Sequence, residues 1–431
     1  MSHVAPKPDH AARVFARIAG AGADNVPDQV EGRNGLRFIA SLILTKIADG
    51  LIDPKLVLSW LMTALGAPGY LAAALVPIRE AGALVPQVLF AALVNRARHR
   101  KWIWVVGSVG QGLSALAIAL TGLLMQGVAA GVVICLCLAV LAISRAACSV
   151  SIKDVLGRTI AKRRRGAVTG LAGSVASFGV VIFALLLMSG LLQTRGPVLL
   201  AIALAGVFWI IAATLFATVN EPEANHDAGA GLPPVLTVLR NDRHLRRFIL
   251  VRGLLVSTAL APPWIVVLTG EHGTLLTRLG ALVLASAAAS FLSSFVWGRL
   301  SDRSSRWVLV LSGVIAAAAL LTMLGLKGLG LAGTFWAGPL VLFVLMLAYH
   351  GVRQGRSTHL VDMSPTEGRA TYAAIANLSI GLILLSVGAF GGSLGALAPE
   401  WAIAGFALMA AAGGALALSL REVQINDTET E

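Results

Sequence analysis

From Leu36 to Leu420 the chain is a succession of apolar runs of about 18–25 residues separated by short polar loops. Each run is long enough to cross about 30 Å of hydrocarbon as an α-helix, whereas the strands of a membrane barrel would be shorter and would alternate. The pattern predicts twelve membrane helices, over 37–64, 69–94, 102–125, 127–152, 167–190, 197–219, 248–269, 277–297, 307–326, 335–360, 371–393 and 400–420. The one long polar interruption, 220–247, contains Glu221-Pro222 and Pro233-Pro234 and reads as a linker between two six-helix bundles, 37–219 and 248–420. A polar extension over 1–36 and a short tail over 421–431 complete the division.

Composition agrees with an all-α integral membrane protein: 57% of residues are hydrophobic and 13% charged, with a mean hydropathy of +0.82. A net charge of +13 would suit a nucleic-acid partner. The basic residues, however, sit in short loops, where they act as orientation signals. One set of loops carries Arg96, Arg98, Arg100 and Lys101, then Arg158 and Lys162 to Arg165, then Arg299, Arg303 and Arg306. The alternate loops offer only Arg195, Arg278 and Lys327. Both termini and the linker are therefore expected in the cytoplasm, the protein in the cytoplasmic (inner) membrane as a monomer, and its partners to be the lipid bilayer, protons and a small molecule, with no nucleic acid. The first 35 residues do not look like a cleaved signal peptide. His10 to Ile18 reads either as a short basic amphipathic helix on the membrane surface or as disordered chain. Cys135, Cys137 and Cys148 share one apolar segment and give no disulfide or zinc spacing.

Charges inside the runs are the unusual feature, since one near the bilayer centre costs about 2.5–3.5 kcal/mol and is found facing a bundle interior or a wet cavity. The first run carries Lys46, Asp49, Asp53 and Lys55. At 3.6 residues per turn the first three share a stripe about 60° wide. The second run holds Arg79-Glu80 at mid-membrane depth, the fourth Arg145, the seventh Arg252, and the tenth His350 and Arg353. Gln87, Gln111, Tyr349 and Asn377 add polar groups along the path, while Trp60, Trp264, Trp336 and Trp401 sit where interfacial anchors are expected. Asp49, Glu80 and Asp53 are the candidate proton carriers. Lys46, Arg79, Arg145, Arg353, His350 and Asn377 are the candidate substrate-binding groups. Structural ion pairing, for instance of Arg79 with Asp49, is the plainer alternative for any one of them.

Landmarks of the first half recur about 207 residues later: Lys46 matches Arg252, Lys101-Trp102 matches Arg306-Trp307, and R-x3-S-x4-D occurs both as Arg145, Ser149, Asp154 and as Arg353, Ser357, Asp362. Asp49 and Asp53 have no acidic counterpart in the seventh run.

Gly298-Arg299-Leu300-Ser301-Asp302-Arg303-Ser304-Ser305-Arg306 resembles the loop signature of the major facilitator superfamily, G-x-L-a-D-r-x-g-r-k, found between the second and third helices of each half. The equivalent first-half loop, Ala92 to Lys101, departs from it: the glycine is missing and Asn95 stands in place of the acid. The resemblance implies twelve helices in two pseudo-symmetric bundles and alternating access to a central site. It also implies a loop latch in which Asp302 meets a helix N-terminus and Arg303 meets Asp362, with Arg96 and Asp154 as the first-half pair. The glycine-proline pattern associated with antiporters is absent from the fifth run. No G-x4-G-K-[ST] loop is present, so the expected energy source is a proton gradient, with no cofactor and no metal. No nucleophile–base pair or metal cluster points to an enzyme.

The expectation is thus a proton-coupled secondary transporter of a small organic solute. Counting Lys46, Arg79, Arg145, Arg252 and Arg353 against Asp49, Asp53 and Glu80 leaves two positive charges in excess, which favours an anion. A multidrug or amphipathic-compound exporter of the same fold, and a non-transporting membrane scaffold or assembly factor, are the alternatives.

Overall fold

The computed structural model describes residues 10–18, 27–189, 195–223, 235–269, 275–364 and 369–423. Every regular element among them is helical. Helix α1 (His10–Ile18) precedes α2 (Gln29–Leu51), α3 (Val57–Ala64), α4 (Gly69–Leu84), α5 (Gln87–Arg96), α6 (Lys101–Leu124), α7 (Gly127–Thr159), α8 (Lys162–Met188) and α9 (Arg195–Ala217). After the linker come α10 (Val235–Asn241), α11 (Arg243–Leu254), α12 (Ser257–Leu260), α13 (Pro262–Thr269), α14 (Leu275–Arg303), α15 (Ser305–Gly328), α16 (Ala337–Met363), α17 (Arg369–Leu397) and α18 (Pro399–Ala417).

Nine helical stretches among the described residues are long and apolar enough to cross a bilayer. The protein is a multi-pass membrane protein. The other predicted spans fall on α2 with α3, on α14 and on α16. Three predicted spans are broken rather than continuous. Pro54 interrupts the first, Pro86 the second, and Pro262-Pro263 the seventh, because proline removes a backbone donor and clashes with the preceding turn. At the first break the Asp53 carboxylate accepts from the backbone N–H groups of Lys55 (2.9 Å) and Leu56 (3.0 Å), starting the chain again toward α3. Helix starts also differ from the hydropathy pattern where a cap lies upstream. Asp28 caps α2 through the Glu31 amide, and Asp242 caps α11 through those of His244 and Leu245, so both begin within polar sequence.

In the first half α6 packs against α7 and α9, α2 against α8 and α9, and α4 against α7. In the second half α15 packs against α16 and α18, α14 against α16, and α11 against α17 and α18. The halves meet along α4 with α17 and α8 with α14, and again where α13 touches α3 and α4. Two matching glycine crossings allow close helix approaches within the halves. A Cβ on Gly112 would lie 2.8 Å from the Gly206 carbonyl oxygen, and one on Gly313 would lie 2.6 Å from Gly414 Cα. Without a hydrophobic drive between helices in lipid, such small-residue contacts supply the packing. On α7 the exposed residues Val128, Val132, Leu136, Val140 and Ile143 form a lipid-facing stripe at helical spacing.

Helix α1 forms and docks on α2, with Phe15 and Ala12 fully buried against Gly35 and Gly32. Cys135 and Cys148 are buried and all three cysteines are free. Two of the four expected interfacial tryptophans are core residues: Trp60 and Trp264 are 3% and 2% exposed, whereas Trp336 and Trp401 are exposed. Trp264 packs against Gly395 of α17, on the helix α13 that meets α3 and α4 of the first half.

Candidate functional site

The intramembrane charges form two clusters. In the first half α2, α4 and α7 converge on Asp49. Its Oδ1 accepts a hydrogen bond from Arg79 Nη2 at 3.1 Å, and its Oδ2 forms an ion pair with Arg145 Nη2 at 2.7 Å. Each carboxylate oxygen thus has its own guanidinium partner. Lys46, one turn earlier on α2, donates to the Thr169 carbonyl at 3.4 Å.

The second cluster lies between the halves, around a cavity lined by Glu80, Arg252, Leu255, Tyr349, Arg353 and Arg356. Lys55, brought inward by the Pro54 break, is only 5% exposed. Its ammonium sits 3.5 Å from the centroid of the Tyr349 ring on α16 and 3.8 Å from Glu80. Arg252 donates to Asn377 on α17 at 3.2 Å, and Asn377 donates to Gln87 on α5 at 3.4 Å, a polar chain that runs from one half to the other. His350 stands edge-on to Tyr349, with its Nε2 buried and without a hydrogen-bond partner. Arg353 is exposed to the cavity, and neither it nor Arg356 has a carboxylate partner among the described residues.

Lys55 over Tyr349 joins the two halves toward the end opposite the basic loops. A desolvated cation–π contact of this kind is worth about 2 kcal/mol. Lys55→Met is therefore expected to shift the protein toward opening at that end, by some ten- to thirtyfold in the equilibrium. Spin labels at Tyr70→Cys and Leu331→Cys in a cysteine-free background should show a larger long-distance population; an unchanged distance distribution would count against the contact as a closure.

Asp53, one of the three candidate proton carriers, is occupied by the two backbone amides at the Pro54 break. Of the latch residues, Asp154 pairs with Arg100 at 2.5 Å and Arg158 at 2.9 Å instead of Arg96, which is exposed. Arg303 and Asp362 are both exposed at the same end, and the side chain of Asp302 lies outside the described residues. Lys55 and Arg356 were not among the sequence-derived site residues. For Arg356 the signal was its i+3 spacing from Arg353 on one helix; Lys55 follows Pro54 and lies outside the stripe that Lys46, Asp49 and Asp53 share.

The repeat is visible in side-chain contacts as well as in sequence. Lys46 reaches Thr169 across 123 residues and Arg252 reaches Asn377 across 125, each joining the first helix of its half to the fifth. At the basic end the residue after the sixth helix, Glu221, accepts from the backbone amides of Arg100 and Lys101 at 3.1 and 2.9 Å. After the last helix Glu422 plays the same part at α15, meeting the Ser304 hydroxyl (2.5 Å) and Arg306 (3.4 Å). Buried Glu221 caps α6 and completes its dipole, so Glu221→Ala should cost about 1–2 kcal/mol. A thermal-unfolding midpoint equal to the wild type in detergent would refute that role.

No protein-family model matches the sequence, and no curated protein is similar to it in sequence. Solved structures match over nearly the whole chain. A mutant of the nucleoside transporter NupG superposes with a TM-score of 0.68 at 12% identity, covering 90% of this chain and 100% of that one. The D-xylose-proton symporter gives 0.67 at 11%, covering 91% and 98%. A POT family transporter in complex with 5-aminolevulinic acid gives 0.68 at 12%, covering 92% and 97%. The chain has the major facilitator fold. The cavity around Arg353 lies where the two halves meet, since Glu80 of the first half shares its lining with residues of the second. The departures of the first-half loop from the signature therefore concern its chemistry and not the architecture.

Proposed function

We propose that this chain is a secondary active transporter of the cytoplasmic membrane, with both termini inside, that moves a small organic anion together with protons by alternating access. One observation carries the substrate class. In the repeat Arg145 and Arg353 are twins, and Asp49 neutralises Arg145. The corresponding stretch of the seventh span, Leu254 to Trp264, contains no acid, so Arg353 faces the cavity without its counter-ion. With Lys55 and Arg356 added, seven cations stand against three acids at membrane depth, a stronger excess than the sequence suggests. A solute carboxylate or phosphate supplies what the protein lacks. The fold supports the transport reading: its neighbours include proteins described as a nucleoside transporter, a D-xylose-proton symporter and a peptide transporter in complex with sulfate.

The test is flux in proteoliposomes under an inward proton gradient, with radiolabelled aliphatic and aromatic carboxylates set against nucleosides, sugars and lipophilic cations. Carboxylate accumulation accompanied by proton entry is the expected result. Flux confined to neutral or cationic compounds would sink the anion assignment, and no flux of any class would sink the transport reading.

A further inference from the structure

Asp49 and Glu80 are held in opposite ways. Asp49 is clamped by two guanidinium groups at 2.7 and 3.1 Å. Glu80, one residue after the clamped Arg79, has a single ion pair among the described residues, at 3.8 Å to Lys55, and its side chain is 31% exposed. Among the described residues it is the only acid lining the cavity that holds Arg252, Arg353 and Arg356. A carboxylate that loosely paired can change partners at small cost, whereas the clamped one cannot.

We propose that Glu80 is a tethered stand-in for the transported anion: its carboxylate balances the cationic cavity while that cavity is empty, and it is displaced and protonated when a solute anion binds Arg353 and Arg356. This rests on the anion-transport reading of the cavity. The proton comes from hydronium on the side from which the anion enters: a hydronium O–H bond breaks, an O–H bond forms on the Glu80 carboxyl, water is left behind, and the anion replaces the negative charge of Glu80. For a monovalent anion the cavity keeps the same charge empty and loaded, so one proton travels with each anion and the cycle is electroneutral. The surroundings of Glu80 allow this exchange. Asp53 and Lys55 face it from the break between α2 and α3, Arg79 from its own helix, Arg252 from α11, and Tyr349, Arg353 and Arg356 from α16, where His350 stands edge-on to Tyr349. Arg145 of α7 is turned to Asp49. Helices α12 and α13 contain no titratable residue, and those of α17, Arg369 and Tyr372, lie at its start, away from this level.

Sulfate is a suitable probe, because it gains no proton between about pH 5 and 8 and any pH dependence of its binding belongs to the protein. Titration calorimetry of the full chain in detergent should show wild-type sulfate affinity rising about tenfold or more as the pH falls over that range. Glu80→Gln, which removes the competing charge without changing the shape, should bind sulfate about tenfold more tightly than wild type near pH 8 and lose the pH dependence. Glu80→Ala should do the same. Wild-type binding that is flat with pH overturns the proposal without recourse to a variant. So does a Glu80→Gln protein that keeps the wild-type pH dependence, since His350 would then be the titrating group, or one that binds no sulfate. Absence of anion flux with this binding behaviour intact would instead remove the transport reading and leave the exchange at Glu80 standing.

Discussion

Asp49→Asn is expected to destabilise the protein by about 3 kcal/mol, toward the lower end of what breaking a buried pair costs, because the clamp is partly wetted from the cavity. The side chains of Asp49, Arg79 and Arg145 are 24%, 15% and 26% exposed. Removing the carboxylate leaves two guanidinium groups facing each other with no anion between them, and their repulsion adds to the lost hydrogen bonds. Removing a cation as well should return part of the loss, so Asp49→Asn with Arg79→Met should unfold at a higher temperature than Asp49→Asn alone. Glu80→Gln, whose partner Lys55 is 3.8 Å away and keeps its contact with the Tyr349 ring, should lower the unfolding midpoint less than Asp49→Asn does. Thermal unfolding of detergent-purified variants separates the outcomes. If Asp49→Asn were as stable as wild type yet transported without proton coupling, Asp49 would be the proton carrier, the leading role its one-sided placement in the sequence suggests.

The contrast between Asp49 and Glu80 shows where sequence reasoning ends for this fold. Hydropathy located most of the long apolar helices to within about two turns, because each must be long enough to cross the hydrocarbon. The repeat could be read because paired landmarks such as Lys46 and Arg252 keep a common offset. Which charges meet could not be read, since that depends on breaks of a few residues. The break at Pro54 carries Lys55 to the ring of Tyr349 on the opposite half, and Asp53 is consumed in making the same break. Asp154 illustrates a shorter-range version, in which the cation that reaches it is Arg100, one turn beyond Arg96, where the loop turns into α6. The tryptophans fail as anchors for a related reason: Trp60 and Trp264 lie in the broken first and seventh spans, and those spans fold inward to meet.

Arg353→Gln is expected to lower anion flux by about a hundredfold while leaving the unfolding midpoint near that of wild type. The size follows from losing a charged hydrogen-bonding partner for a carboxylate in a partly desolvated site, about 2–3 kcal/mol. The small effect on stability follows from Arg353 having no protein carboxylate to leave behind. Its twin gives the control. Arg145→Gln strips Asp49 of one of its two partners and should lower the midpoint, so the same change at equivalent positions of the repeat separates a structural arginine from a substrate-binding one. The converse change is sharper still. Leu255, which lines the cavity beside Arg353, occupies the place in the seventh span that Asp49 holds in the first. Leu255→Asp would give Arg353 a permanent counter-ion, and it should abolish anion binding in a chain whose cations are all intact. Recovery of binding on adding Leu255→Asn in its place, with similar volume and no charge, would assign the loss to electrostatics. If Leu255→Asp folds and still carries the anion at the wild-type rate, Arg353 is not where the anion sits, and the missing acid of the second half has no bearing on the substrate.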